Sequence, residues 1–219
     1  MLTCHSLLNY TIVNMNIKEL FLSFKDEDFF DEINLHIHTN FSDGIADFDE
    51  QISSALKRNM KYISITDHNT VEGYKKTKYI NNPILIKGIE FDCFYKMSPL
   101  HILGYGVDID NEEILRLCSN EKNDIKRLLK SRHPKTVINA IHNAGGIAVL
   151  AHPCCCFVFS LDNYVKCLKQ LGLDGIEIHY PYNRFRSLVK FSSRAIPPKL
   201  AEKYNLIKSG GTDEHKILH

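Results

Sequence analysis

Short β-rich runs alternate with helical stretches along most of the 219-residue chain, and this alternation constrains the fold more than any other feature. The seven runs span residues 33–39, 62–68, 84–91, 99–106, 147–153, 175–181 and 206–213. Helical candidates lie at 47–59, 70–79, 111–130, 135–144, 161–171 and 197–204. Such alternation predicts an α/β fold with a parallel sheet covered by helices. Seven strands favour a distorted barrel, and a doubly wound open sheet is the alternative.

Histidines and carboxylates stand at the ends of almost all of these runs. They are His36, His38, Asp67, His68, Glu90, His152, Glu177, His179, Asp213 and His215, whereas His101 lies early in its run. The carboxyl ends of the strands are where α/β folds build their sites, so these side chains are expected at one end of the sheet. A lone His-x-His pair fits a structural role about as well as a metal site. The recurrence of His, Asp or Glu at six strand ends favours a metal site, because so many buried polar groups without partners would cost several kcal/mol of stability.

The composition limits the class of partner and the compartment. With 27 Lys and Arg against 26 Asp and Glu, the chain lacks the global basic field that a long nucleic acid would require. The cysteines number 7, and three are consecutive at 154–156, a pattern that suits reduced thiols better than a disulfide framework. No apolar run approaches the roughly 18 residues of a membrane span, and the N-terminus does not read as a signal peptide. We therefore expect a cytoplasmic protein with no membrane partner.

The first part of the chain is expected to stand apart from the main fold. Residues 17–32, "IKELFLSFKDEDFFDE", have the pattern of an amphipathic helix. The predicted organisation is an N-terminal extension over 1–32, helical in part, followed by a single unit over 33–219. The 44% hydrophobic composition is enough for one good-sized core in that unit.

The motifs that carry these polar residues resemble the PHP family, the polymerase and histidinol phosphatase domain. They are "HIHTNFSDG", "SITDHNT", "GIEF", "LHILGYG", "AVLAHP", "GIEIHYP" and "GGTDEH", in this order between about residues 33 and 215. The resemblance is greatest to the compact phosphoesterases of the family, which act on nucleotides or other small phosphate esters. It implies a distorted seven-stranded (β/α)7 barrel and a cluster of up to three divalent metals.

Carried over position by position, the resemblance implies nine metal ligands. His36, His38, Glu90 and Asp213 would hold the first ion. Glu90 would bridge to a second ion held also by His101 and His152, and a third would take Asp43, His68 and His215. Mixed imidazole and carboxylate ligands suit Mn, Fe or Zn better than Ca or Mg. We therefore expect two or three divalent transition metal ions as cofactors.

Five further residues are candidates for catalysis or phosphate binding. His179 is a candidate general acid, because imidazole titrates near neutral pH, or else a hydrogen-bonding residue at the rim. Asp67 could orient an imidazole ligand, or cap the helix at 70–79. Arg132, Arg184 and Arg186 are candidates for contacts with the substrate phosphate, with solvated positions as the alternative.

The leading functional hypothesis is a metal-dependent phosphoesterase acting on a small-molecule or nucleotide phosphate ester. An amidohydrolase also opens its barrel with His-x-His, but it usually carries a lysine on a middle strand, which the run at 99–106 lacks. A non-catalytic PHP module serving a partner protein would be expected to lose ligands, and here all nine positions hold competent ones. The sequence leaves the substrate, the native metal and the oligomeric state open.

Overall fold

The computed structural model describes residues 16–119, 131–182 and 190–218, and it contains all seven expected strands. They are β1 (Ile33–Ile37), β2 (Tyr62–Ile65), β3 (Gly88–Tyr95), β4 (Ser98–Tyr105), β5 (Ile147–Leu150), β6 (Gly175–His179) and β7 (Ile207–Gly210). The helices are α1 (Ile17–Leu22), α2 (Phe48–Lys57), α3 (Glu72–Lys76), α4 (Glu112–Leu117), α5 (Pro134–Asn143), α6 (Leu161–Gln170) and α7 (Ile196–Lys203). Short 3-10 turns lie at Asp26–Asp28 and Pro153–Cys155.

The strands form two sheets rather than the closed seven-stranded barrel expected from the sequence. β1 and β2 pair in parallel, and the second sheet has the order β3-β4-β5-β6-β7. Only isolated bridges connect the two sheets in the described part of the chain, Ile63 with Leu85 and His68 with Glu90 on one side and Ile37 with Glu214 on the other. A left-handed residue follows each of two strands, Asn69 (φ 55°) after β2 and Asp213 (φ 51°) after β7.

The direction of β4 also differs from the expected parallel sheet. β4 runs antiparallel to both β3 and β5, and only β5, β6 and β7 continue in parallel. A two-residue turn joins β3 to β4, and both of its residues, Lys96 (φ 48°) and Met97 (φ 65°), have the positive φ of a tight hairpin turn. The reversal explains why His101 lies early in its strand, since the start of an antiparallel strand meets the carboxyl ends of its parallel neighbours.

Amphipathic helices cover the sheets and are fixed at their first turns. The Asp47 side chain caps α2 and Glu50 completes a capping box, so the helix begins where its apolar side can pack, and it buries Phe48 and Ile52. The Ser160 side chain caps α6 in the same way. In the described residues, no helix is both long and apolar enough to span a membrane.

The segment before β1 packs onto the sheets. Asn16 and Glu19 form a capping box on α1, which ends at Leu22, so the helix expected over 17–32 is much shorter. Buried Phe21 stacks near Tyr105, with ring centroids 5.0 Å apart, and Phe29 joins the same apolar cluster. Because Tyr105 ends the antiparallel β4, this segment closes the end of the sheets opposite His101.

Candidate metal centre

Nine side chains from six of the strands and their following loops converge at one end of the fold. They are His36, His38, Asp43, His68, Glu90, His101, His152, Asp213 and His215. Most are buried, and the exceptions are the side chains of Asp43 (24% exposed), His101 (18%) and His215 (35%). The cluster therefore has a closed floor and one side that reaches solvent.

Four side chains form what we call the first group: His36, His38, Glu90 and Asp213, each with one donor atom within 4.8 Å of the others. Nε2 of His36 and Nε2 of His38 both lie 3.1 Å from Oε2 of Glu90. Nε2 of His38 is also 3.0 Å from Oδ1 of Asp213. These four residues are the set that the resemblance implied for the first ion.

The second group contains His68, Glu90 and His101. Toward His101 and His152, Glu90 presents its other oxygen: Oε1 lies 2.9 Å from Nδ1 of His101 and 3.2 Å from Nε2 of His152. His152 is thus beside His101, as expected, with 3.2 Å between the facing ring nitrogens. Glu90 consequently presents a different oxygen to each of two sets of imidazoles.

The third group contains His38, Asp43 and His215. Oδ1 of Asp43 lies 3.4 Å from Nε2 of His215 and 3.5 Å from Nδ1 of His38. His68 lies between this group and the second, with Nε2 3.6 Å from Oδ2 of Asp43 and 3.5 Å from Oε2 of Glu90. The geometry therefore relates His68 to Glu90 as closely as to Asp43.

The arrangement of donors fits divalent metal ions. Nε2 of His38 is fully buried and has no hydrogen bond, although two carboxylate oxygens lie within 3.1 Å of it. A buried ring nitrogen that lies close to two carboxylate oxygens but makes no hydrogen bond to them is expected where these atoms bind a cation together. Two of the residues, His152 (φ 26°) and Asp213 (φ 51°), also have left-handed backbones, a strain that concentrates at functional sites.

The carboxylates and imidazoles of the cluster strongly shift one another's pKa values. Burial disfavours the charged imidazole of His36, but the carboxylates of Glu90, Glu177 and Asp213 outweigh burial and raise its pKa well above the usual range. Burial likewise opposes the charge on His38, and Asp213 and Glu90 raise its pKa to about 10. Burial would raise the pKa of Glu90, yet His36, His68 and His101 hold it well below normal.

Two buried carboxylates outside the nine contact the far side of the imidazoles, and the expected ligand set did not include them. Oε1 of Glu177 lies 3.0 Å from Nδ1 of His36. Oδ1 of Asp92 lies 3.3 Å from Nδ1 of His68 and 3.2 Å from Nε2 of His101. A signal for Asp92 was present in the sequence, since it stands two residues after Glu90 and so shares a face of β3.

Asp67 holds the loop after β1. Its carboxylate accepts hydrogen bonds from the backbone N–H of Thr39 (2.7 Å), the hydroxyl of Thr39 (2.6 Å) and the hydroxyl of Ser42 (2.6 Å). The Ser42 hydroxyl lies 3.5 Å from Nδ1 of His38, so Asp67 acts on an imidazole only through this residue. It does not cap α3, which begins after Val71 without a side-chain cap.

The structure does not bring His179 into the cluster. Its ring stacks on Phe29, with centroids 4.7 Å apart, and Nε2 lies 3.5 Å from Oδ1 of Asp26. Tyr180, the next residue, takes the position that His179 was expected to hold: its hydroxyl donates a 2.7 Å hydrogen bond to Oδ2 of Asp213. The geometry therefore gives no support to His179 as the general acid.

Of the three arginines expected to contact phosphate, Arg132 makes its contacts within the fold. Arg132 donates through Nη1 to Oδ1 of Asn69 (2.7 Å) and through Nη2 to the carbonyl of Leu117, and its guanidinium lies over the ring of Phe91. Arg184 and Arg186 lie outside the described residues, as do residues 120–130 of the helix expected over 111–130.

Several known proteins are similar to this chain in sequence. The chain matches the PHP domain over residues 34–183. It is 22% identical to the phosphoribosyl 1,2-cyclic phosphate 1,2-diphosphodiesterase of Eggerthella lenta, in an alignment that covers 83% of this chain and 93% of that protein. It is 28% identical to an uncharacterized protein of Methanocaldococcus jannaschii, over 68% of this chain and 82% of that one.

Solved structures show the same fold at low sequence identity. An amidohydrolase from Chromobacterium violaceum, solved with bound sulfate and no metal, superposes with a TM-score of 0.69 at 18% identity and covers 86% of this chain and 90% of its own. A candidate metal-dependent phosphoesterase from Bifidobacterium adolescentis gives 0.66 at 21% identity, over 84% and 87% of the two chains. The match over residues 34–183, which contain seven of the nine converging side chains, shows that the chain belongs to the PHP domain family.

Proposed function

We propose that this protein is a phosphoesterase that hydrolyses a small-molecule or nucleotide phosphate ester with two or three divalent transition metal ions. The observation that carries the proposal is the position of Glu90. Its two oxygens face two different sets of imidazoles, Oε2 toward His36 and His38 and Oε1 toward His101 and His152. A carboxylate so placed is suited to bridge two cations and to offset their mutual repulsion in a low-dielectric site.

Different residues around Glu90 would bind the ions and form the opening for the substrate. His36, His38 and Asp213 would hold one ion at the floor, and His101, His152 and His68 would hold another. Bound divalent metals supply two things to phosphoester hydrolysis, an activated water at neutral pH and positive charge for the phosphate oxygens. The partly exposed Asp43, His101 and His215 line the open side, so the ester would enter there.

One curated relative supports a phosphate substrate at the level of chemical class. The protein of Eggerthella lenta is named for hydrolysis of a cyclic phosphodiester on a ribosyl group. Both a monoester and a small cyclic diester are therefore within the proposed class. The nearly neutral net charge of +1 argues against a long nucleic acid as the substrate.

An amidohydrolase is the second candidate, since one of the structural neighbours carries that name. At 18% identity that likeness concerns the fold alone. The middle strand β4, "SPLHILGY", offers no lysine. A metal-stabilised module without catalysis is the third candidate, and the presence of all nine side chains in one cluster speaks against it.

The test is a substrate panel with chelator-treated protein supplied with Mn²⁺, Fe²⁺ or Zn²⁺. The panel should contain nucleotides, sugar phosphates, cyclic phosphodiesters and amino-alcohol phosphates, with N-acyl and lactam compounds beside them. We expect metal-dependent cleavage of at least one phosphate ester and none by Glu90→Gln, which keeps the shape of the side chain but loses its charge. Turnover of an N-acyl or lactam substrate with every phosphate ester left intact would favour the amidohydrolase.

A further inference from the structure

Asp92 touches both imidazoles of the second group from outside the cluster. Its Oδ1 lies 3.3 Å from Nδ1 of His68, which is buried and makes no hydrogen bond, and 3.2 Å from Nε2 of His101. The opposite nitrogen of each ring faces Glu90, with Nε2 of His68 3.5 Å from Oε2 and Nδ1 of His101 2.9 Å from Oε1. Each ring is therefore placed between an inner and an outer carboxylate.

The Asp92 carboxylate is itself held in place. The side-chain amide of Asn69 donates to Oδ2 of Asp92, while Oδ1 of Asn69 accepts from the backbone N–H of Asp92 at 3.1 Å. Arg132 completes the arrangement, because its Nη1 donates to Oδ1 of Asn69 and its backbone N–H donates to the carbonyl of Asp92. Asp92 is also buried, so its Oδ1 has a defined direction toward the two rings.

Glu177 stands in the same relation to the first group. Its Oε1 lies 3.0 Å from Nδ1 of His36, the ring nitrogen opposite the one that faces Glu90. Its Oε2 accepts the backbone N–H of His152 at 2.6 Å, which fixes the carboxylate. Two outer carboxylates thus contact different imidazoles, Asp92 on the second group and Glu177 on the first.

We propose that Asp92 is a positioning residue that fixes the ring orientation and tautomer of His68 and His101 together, and that Glu177 does the same for His36. A carboxylate that accepts the proton of one ring nitrogen leaves the lone pair of the other nitrogen for a metal. One side chain would thereby set two ligands of one ion. The inference rests on the proposed metal cluster but not on the reaction that the cluster performs.

Asp92→Asn and Asp92→Ala make the inference testable. Asn fills the same space. Its amide oxygen would have to keep the position of Oδ2 to accept the hydrogen bond from Asn69, so its NH₂ would take the position of Oδ1 and face the two rings. That NH₂ favours the tautomers with a proton on the metal-facing nitrogens. We expect Asp92→Asn to weaken Mn²⁺ binding to one class of sites by about 10- to 100-fold, and Asp92→Ala, which donates nothing, to weaken it less.

The measurement is Mn²⁺ bound per chain after equilibrium dialysis at graded free metal, with the visible spectrum of the Co²⁺-substituted protein as a report on coordination. A residue that merely fills space would give the reverse order, with Ala worse than Asn, and that order would overturn the proposal. Binding by Asp92→Asn that equals the wild type would overturn it as well. Far-UV circular dichroism of all variants in chelator establishes that they fold.

Glu177→Gln is the variant to compare with Asp92→Asn. It also replaces a buried carboxylate with an amide of the same shape, but next to a different imidazole. We expect each single variant to lose about one ion at limiting Mn²⁺ and the double variant to lose a second one. A double variant that loses no more than either single variant would contradict the assignment of the two carboxylates to different groups. Since these readouts count ions, they stand whether or not the protein proves to be a phosphoesterase.

Discussion

Nε2 of His38, at the end of β1, lies 3.0 Å from Oδ1 of Asp213, in the turn after β7. The backbone joins the same two places, because the N–H of His38 donates to the carbonyl of Glu214 at 2.8 Å. The backbones of the two sheets pair here through an isolated bridge and not through a continuous ladder. A cation shared by His38 and Asp213 would therefore connect elements that the strand ladders leave separate.

Metal should consequently stabilise the whole fold. An ion present at about 100 times its dissociation constant adds about 2.7 kcal/mol to the free energy of unfolding. We expect added Mn²⁺ to raise the melting temperature by several degrees over chelator-treated protein, and Asp213→Asn to lose most of that increase. Asp162→Asn, which removes an exposed carboxylate on α6, should keep it in full. An equal increase in the wild type and Asp213→Asn would place the stabilising ion elsewhere.

Glu90 and Asp43 should differ in the number of ions that their loss releases. Glu90 contacts imidazoles of both the first and second groups, so Glu90→Gln removes a ligand from two ions and the negative charge between them. Asp43 belongs to the third group alone. We expect elemental analysis to show most of the metal gone from Glu90→Gln and about one ion gone from Asp43→Asn. Equal losses from the two variants would show that Glu90 is not the bridge.

Gly211 should tolerate no side chain, because His36, a proposed metal ligand, lies directly against it. A Cβ at Gly211 would come within 2.4 Å of both the Cβ and the backbone N of His36. We expect Gly211→Ala to lower the free energy of unfolding by about 1–3 kcal/mol and to weaken metal binding.

Gly145→Ala provides the control for that variant. A Cβ there meets open space, and only the left-handed φ of 80° opposes it, so we expect a loss of about 1 kcal/mol and unchanged metal binding. Denaturant unfolding and metal analysis measure both effects. Gly211→Ala with normal metal content would show that His36 can shift without consequence.

Tyr180 and His179 should respond differently to substitution. Tyr180→Phe removes the hydrogen bond to Oδ2 of Asp213, and hydrogen bonds to charged groups contribute about 1.5–3 kcal/mol, so we expect turnover to fall by about tenfold or more. His179→Asn removes a stacking contact with Phe29 and should reduce stability slightly while turnover stays within about twofold. Steady-state kinetics on one substrate compares the two, and the reverse order would restore His179 as the candidate general acid.

The residues that converge were predictable, but the direction of β4 was missed. Alternating runs that end in His, Asp or Glu indicate which side chains gather at one end of an α/β fold. Periodicity contains no information on strand direction, and the turn at Lys96 and Met97 lacks the glycine or asparagine that usually marks a hairpin. The signal was the short connection, because the seven residues between the runs at 84–91 and 99–106 are too few for the crossover that parallel strands need.

A local irregularity explains why Tyr180, and not His179, points toward the cluster. Glu177 faces the cluster, and strict alternation along β6 would place His179 on the same face. The pairing of β6 with β7 instead shifts register between Glu177 and His179, which turns His179 toward Phe29 and Tyr180 toward Asp213. Such an irregularity depends on the neighbouring strand and cannot be read from the β6 sequence itself.

The central claim is that a carboxylate-bridged metal cluster hydrolyses a phosphate ester, and one titration tests it most directly. Chelator-treated protein is loaded stepwise with Mn²⁺, and bound ions and phosphoester turnover are measured in the same samples. We predict that turnover is absent without metal, rises as ions bind and reaches its maximum at two or three ions per chain. Full turnover in chelator, or a loaded cluster that cleaves no phosphate ester of the panel, would contradict the claim.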